Sequence, residues 1–105
     1  MKMIKAVIRP EKEFEVISAL EKEGIYSLTK IDVLGRGRQK GVQVGTTIYD
    51  ELSKMMFLIV VDDRDTDKAV QTILKHAQTG NFGDGKIFVS EVKEAYTIRT
   101  GKAKL

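Results

Sequence analysis

Residues 55–61 (M-M-F-L-I-V-V) are seven apolar residues in a row, bounded by Asp62 and Asp63. Side chains alternate across a strand, so Met56, Leu58 and Val60 share one face and Met55, Phe57, Ile59 and Val61 the other. A strand that is apolar on both faces expects both to be buried. Any architecture for the chain must therefore cover this strand twice.

The surrounding pattern limits what can do the covering. Residues 3–9 alternate, with Ile4, Ala6 and Ile8 on one side, and Pro10, the only proline, ends the strand and can open a helix. Residues 11–23 place Phe14, Ile17 and Leu20 at helical spacing, and Gly24 is a good stop. The five Glu of this helix alternate with lysines and read as a solvated face. Residues 27–34 alternate again, and a long break follows at 35–50. Residues 66–78 are helical, with Val70, Ile73, Leu74 and Ala77 toward a core and Asp65 as N-cap. A strand at 86–92 and a short extended piece at 96–99 complete the chain.

The order strand–helix–strand, strand–helix–strand predicts an α+β fold, the ferredoxin-like βαββαβ sandwich. That fold is an antiparallel sheet with both helices on one face. The helices cover one side of 55–61, and the other side predicts packing against further copies of the chain.

At 105 residues the chain predicts a single domain, 1–105. It has no cysteine, which excludes disulfides and thiolate metal sites and suits a reducing compartment. Lys5 interrupts the N-terminal apolar residues too early for a secretion signal, and no run is long enough to span a bilayer. A cytoplasmic protein without a membrane anchor is expected. The net charge is +3, and the excess sits in segment 35–54 and in the tail 99–105. A compact anion fits that distribution better than a nucleic-acid duplex.

Two glycine-rich stretches carry the chemistry. Residues 79–89 (T-G-N-F-G-D-G-K-I-F-V) hold Gly80, Gly83 and Gly85, which allow backbone amides to converge, with Lys86 at the edge to add a cation. Such a loop suits phosphate, although the same residues would also serve as a helix C-cap and turn. Residues 35–41 (G-R-G-R-Q-K-G) hold three glycines and three cations, and could equally be a solvated hairpin tip. They match neither a Walker A loop nor a Rossmann fingerprint. Arg38 offers a bidentate fork for phosphate and Gln39 a neutral oxygen for a metal ion. His76, the only histidine, reads as an ordinary surface or boundary residue.

These motifs, with Lys54 before the apolar strand and I-R-T-G at 98–101, stand in the order found in PII signal-transduction proteins. The chain resembles that family along essentially its whole length. The resemblance implies a homotrimer of ferredoxin-like subunits binding ATP or ADP between subunits and 2-oxoglutarate beside Mg-ATP. It implies a nitrogen-regulatory signalling protein, not an enzyme, that acts through a T-loop at about 36–53. By resemblance, nucleotide would be bound by Thr29, Gly37, Arg38, Gln39, Val60, Gly83, Asp84, Gly85, Lys86 and Arg99. Gly37, Gln39, Lys40, Gly41 and Lys54 would bind 2-oxoglutarate, and Gln39 would ligate Mg²⁺. The segment 42–52 is expected to be mobile when the site is empty.

The T-loop is shorter than in enteric members, and the tyrosine that those members modify falls near Thr47, with Tyr49 closer to Lys54. Thr97 stands where many relatives have a second arginine, and Ser53 replaces a proline. The short loop resembles the nitrogen-fixation branch, whose members work with a second PII-like protein to inhibit nitrogenase. A general regulator of ammonium transport or nitrogen-assimilation enzymes is the alternative. An RNA-binding module of the same topology would need aromatics on both central strands, and here only Phe57 qualifies. A phosphate-handling enzyme of the acylphosphatase or nucleoside-diphosphate-kinase type would need a nucleophile or water-positioning group. The glycine loops offer only Asn81.

Overall fold

The computed structural model describes residues 1–36, 42–44, 47–49 and 51–105, with backbone alone at 42–44 and 47–49. Strand β1 (Lys2–Ile8) leads through a 3-10 turn at Pro10–Lys12 into helix α1 (Glu13–Lys22) and then β2 (Thr29–Gly35). Short strands β3 (Val42–Val44) and β4 (Thr47–Tyr49) precede the long β5 (Leu52–Val61). Helix α2 (Thr66–Ala77), β6 (Gly85–Glu91), β7 (Tyr96–Thr97) and β8 (Lys102–Ala103) follow.

The main sheet has the order β2-β5-β1-β6, and every neighbouring pair is antiparallel. Each helix thus links two parallel strands that have a third strand between them, the split βαβ arrangement. This is the ferredoxin-like fold that the strand–helix order predicts. One sheet face packs under both helices. Ile4, Ala6 and Ile8 of β1 and Met55, Phe57, Ile59 and Val61 of β5 meet Val16 and Leu20 of α1 and Ala69, Ile73 and Ala77 of α2. Full burial of Phe57 or Ile59 stabilises the fold by roughly 2 kcal/mol each.

The other face carries Ile31 of β2, Met56, Leu58 and Val60 of β5, Val7 of β1 and Phe88 of β6. The register places them there together: Ile31 pairs with Met56, Met56 with Val7, and Leu58 with Lys5, which pairs with Phe88. Among the described residues the two helices pack on the opposite face, and here Val7, Met56, Leu58 and Val60 are half-buried while Ile31 and Phe88 are exposed. The doubly apolar strand is therefore half buried within one chain.

Four local readings are corrected. Phe14 is 81 % exposed, and the buried stripe of α1 is Val16, Ala19 and Leu20. At 100° per residue Phe14 lies about 200° from Val16, so both cannot face the sheet. In α2 the stripe is turned by one residue: Ala69 is buried, while Leu74 is 43 % exposed. Asp65 stands at the N-cap position without a capping side-chain hydrogen bond, because its backbone is already helical in a preceding 3-10 turn. The break at 35–50 contains a two-stranded ribbon, with Val42 opposite Tyr49 and Val44 opposite Thr47. The strand after it begins at Leu52, so Lys54 lies within β5.

Candidate functional site

The loop between α2 and β6 is built around one carboxylate. Asp84 Oδ2 accepts from the backbone N–H of Thr79 at 2.8 Å and of Gly80 at 2.9 Å. Its Oδ1 accepts from the Thr79 hydroxyl and, at 3.0 Å, from Arg9 Nε. The Thr79 hydroxyl in turn accepts from Asn81 N–H at 3.2 Å. The Thr79 hydroxyl and amide, then Arg9 and the Gly80 amide, hold the Asp84 carboxyl well below the usual carboxylate range. The sequence places Asp84 beside phosphate; here its oxygens are engaged within the loop and with Arg9. Its contribution to an anion site is to hold the loop's amides in place.

Two glycines make the rest of the loop possible. Gly85 has φ +108°, and a Cβ there would lie 1.7 Å from the Val7 carbonyl oxygen, where β6 meets β1. Gly83 has φ +96°, and a Cβ there would lie 3.3 Å from Arg9 Nη2 and 3.5 Å from Lys54 Nζ. Two cations thus converge on Gly83, where even a methyl group would be crowded.

Arg9 closes β1 just before Pro10, and its Nη2 donates to the Phe82 carbonyl at 2.8 Å. Lys54, on the open face of β5 opposite Val33, is 9 % exposed and donates to the Gly83 carbonyl. Burial first, and Arg9 second, push the Lys54 amine down from its ordinary range. A buried cation is normally matched by an acid. Among the described residues, its hydrogen bond goes to a neutral carbonyl, and the Arg9 guanidinium acts on it more strongly than either the Glu11 or the Asp84 carboxylate. A carboxylate or phosphate oxygen is the group that would complement two cations brought together in this way.

The remaining sequence-named residues separate into groups. Gly83, Asp84, Gly85 and Lys86 are contiguous, and Lys54 joins them through Gly83. Lys86 pairs with Val7 on the open face. Thr29 pairs with Leu58, and Val60 lies two residues further along the same face. Strands β2 and β6 stand at opposite edges of the sheet, three strand spacings or roughly 14 Å apart. Thr29 and Lys86 therefore stand too far apart across one sheet to form a single compact site. Arg99 is exposed in the turn between β7 and β8. Gly37, Arg38, Gln39, Lys40 and Gly41 lie outside the described residues.

Sequence reasoning missed Arg9 and Thr79. The available signal for Arg9 was its position before the lone proline, which pins the strand end. For Thr79 it was the five-residue spacing to Asp84, suited to a side chain closing a turn. His76 also does more than occupy a boundary: its Nδ1 lies 3.0 Å from Glu15 Oε2 and links the two helices. Among the described residues no group of three or more His, Asp or Glu is placed to hold a metal ion. Nor is any helix long and apolar enough to cross a membrane.

Comparison with known proteins agrees with this architecture. The family model for nitrogen regulatory protein P-II matches residues 1–102. The chain is 57 % identical over 105 residues to the nitrogen fixation nifHD1 region GlnB-like protein 1 of Methanosarcina barkeri, covering all of both chains. It is 55 % identical over 100 residues to the nifHD region glnB-like protein 1 of Methanococcus maripaludis, covering 95 % of each. Nitrogen regulatory protein P-II 2 of Methanothermobacter thermautotrophicus is 50 % identical, covering 98 % of this chain and 93 % of the relative. A four-stranded sheet of this order, a glycine loop organised by Asp84 and matches along nearly the whole length lead to one assignment: the chain belongs to the P-II family of nitrogen regulatory proteins.

Proposed function

We propose that this chain forms a cytoplasmic homotrimer that senses ATP or ADP together with 2-oxoglutarate and signals nitrogen status to a target protein. Residues 1–105 form one domain, and the loop at about 36–53 carries the signal. The observation that carries this reading is Lys54, a buried cation beside Arg9 whose described hydrogen bond goes to a neutral carbonyl. A dicarboxylate supplies the anion that this pocket lacks. Lys86 and the amides of Gly83 and Gly85 serve the nucleotide phosphates, with Arg38 and Arg99 adding charge. Thr29 and Val60 line the base, and Gln39 would hold Mg²⁺, which would supply positive charge for the bound anions. The open apolar sheet face is the surface on which copies pack.

The nitrogen-fixation region in the names of these two relatives supports nitrogenase as the target, reached together with a second PII-like protein. The plain P-II name of the methanothermobacter relative favours a second reading, general nitrogen regulation. In either case the protein signals and does not catalyse.

Titration calorimetry with ATP, and with 2-oxoglutarate in the presence of Mg-ATP, tests the assignment. Lys86→Ala and Arg99→Ala should each weaken ATP binding roughly tenfold, since each removes a charge-assisted bond. The trimer should persist in both by sedimentation. Unchanged ATP affinity in both variants, or a monomeric parent protein, would overturn the reading.

A further inference from the structure

Lys54 has a second chemical possibility, which arises from where its amine sits. Its stem is buried, its Nζ faces the Gly83 carbonyl, and Arg9 Nη2 approaches the same glycine. The charged groups facing it are Arg9 just after β1, Glu11 in the 3-10 turn and Asp84 in the glycine loop. Asp84 is already held by Arg9, Thr79 and Gly80. Burial disfavours the ammonium and enlarges the share of neutral amine, which is a nucleophile. A small neutral electrophile that turns into an anion on addition would gain in this setting, since the anion would find a guanidinium beside it.

We propose that Lys54 is a carbamate-forming lysine, which takes up dissolved carbon dioxide on Nζ as an anion held by Arg9. The Nζ lone pair attacks the carbon of CO₂, and one C=O electron pair moves onto oxygen. The nitrogen then releases one proton to water. The product is an N-carboxylated lysine with one negative charge, and nothing is oxidised or reduced. Arg9 retains donors for it: Nε and Nη2 are engaged with Asp84 and Phe82, whereas Nη1 is 3.9 Å from the Glu11 carboxylate, beyond hydrogen-bond reach.

The carbamate itself depends only on the surroundings of Lys54; its consequence rests on the dicarboxylate reading above. Carboxylation replaces a cation by an anion where the dicarboxylate would bind, so the two exclude each other. The protein would then answer to inorganic carbon through the residue that answers to the organic acid.

The test equilibrates the full chain with isotopically labelled bicarbonate in mildly alkaline buffer, traps carbamates by alkylation and maps the label by peptide mass spectrometry. Label is expected at Lys54, several-fold above the exposed Lys5 and Lys86 of the same sample, and reduced in Arg9→Gln. Label absent from Lys54, or equal at all three lysines, overturns the proposal without any variant having to fold. Calorimetry with 2-oxoglutarate and Mg-ATP in carbon-dioxide-free and bicarbonate-rich buffer separates the two readings. Weaker binding in bicarbonate supports exclusion, and equal measurable binding in both overturns it. Failure to bind in carbon-dioxide-free buffer overturns the dicarboxylate reading and leaves a labelled Lys54 standing.

Discussion

Asp84 and Lys54 meet at the same glycine, and the structure treats their charges in opposite ways. Asp84 accepts from two amides, a hydroxyl and a guanidinium, so its charge is used up inside the loop. Lys54 is more deeply buried and, among the described residues, receives one neutral carbonyl. An acid with so many donors holds a loop in shape, and a cation with so few acceptors is available to a ligand. The contrast separates the residue that shapes the site from the one that binds.

The comparison breaks most completely if the backbone that brings them together is disturbed. Gly85→Ala places a Cβ 1.7 Å from the Val7 carbonyl oxygen at φ +108°, in a strand pair that cannot separate without losing the sheet edge. We expect a loss on the order of 4 kcal/mol or failure to fold, the range reserved for strained or overpacked sites. Denaturant unfolding measures it. Stability within about 1 kcal/mol of the parent would mean that β6 can move away from β1 at little cost.

Much of this frame was legible from the chain. Gly83 and Gly85 announce themselves because only glycine tolerates their conformations, and Lys86 follows directly. The alternation of Ile4, Ala6 and Ile8 and the doubly apolar run at 55–61 set strand identity and faces, since both signals are local. The position of Arg9 before the lone proline was legible but its partners were not, because they lie more than seventy residues away and tertiary packing chose them. Phe14 misled for a related reason: large apolar residues imply burial, yet the smaller Val16 and Ala19 decide which way α1 faces. The ribbon at β3 and β4 carried a β-branched signal, V-Q-V and T-I-Y around two residues, that was read as a plain break.

A sharper form of the comparison uses pH. The Asp84 carboxyl is lowered in the folded state from an ordinary value near 3.8. Its stabilisation is therefore complete above that range and is lost as pH falls through the folded value. The Lys54 amine is also lowered, from 10.5, so stability again rises with pH, but here because the fold disfavours the charged form. Folding opposes its protonation, so stability should rise as pH climbs from the folded value toward 10.5, where the unfolded chain holds more protons. Asp84→Asn should flatten the acid limb of a Tm–pH profile, and Lys54→Met should flatten the alkaline gain, both in carbon-dioxide-free buffer. Lys54→Met should be as stable as the parent or more so at neutral pH, because it removes a buried charge whose described hydrogen bond goes to a neutral carbonyl. It should also lose the 2-oxoglutarate response while retaining ADP binding. A clear loss of stability in Lys54→Met would show that the ammonium is satisfied in the free protein.

The smallest effect is expected at a second acid, which tests whether Asp84 owes its role to its partners or merely to its place near a helix end. Asp65 sits at the N-cap position of α2, where an aspartate replaced by alanine commonly costs about 1 kcal/mol. Its backbone is helical, at φ −96° and ψ −6°, and its side chain makes no capping bond. The chain turns one step earlier, at the extended Asp62, whose carbonyl accepts from the Thr66 hydroxyl at 3.3 Å. What remains for the Asp65 carboxylate is a pairing with Lys68 Nζ at 3.6 Å and a favourable position near the helix N-terminus. For partly exposed side chains these are worth a few tenths of a kcal/mol. Asp65→Ala should therefore shift the urea midpoint by an amount equivalent to about 0.5 kcal/mol or less, with no change in the acid limb assigned to Asp84. A loss of about 1 kcal/mol or more would mean that Asp65 caps the helix in solution. Position alone would then suffice, and the network around Asp84 would no longer distinguish it.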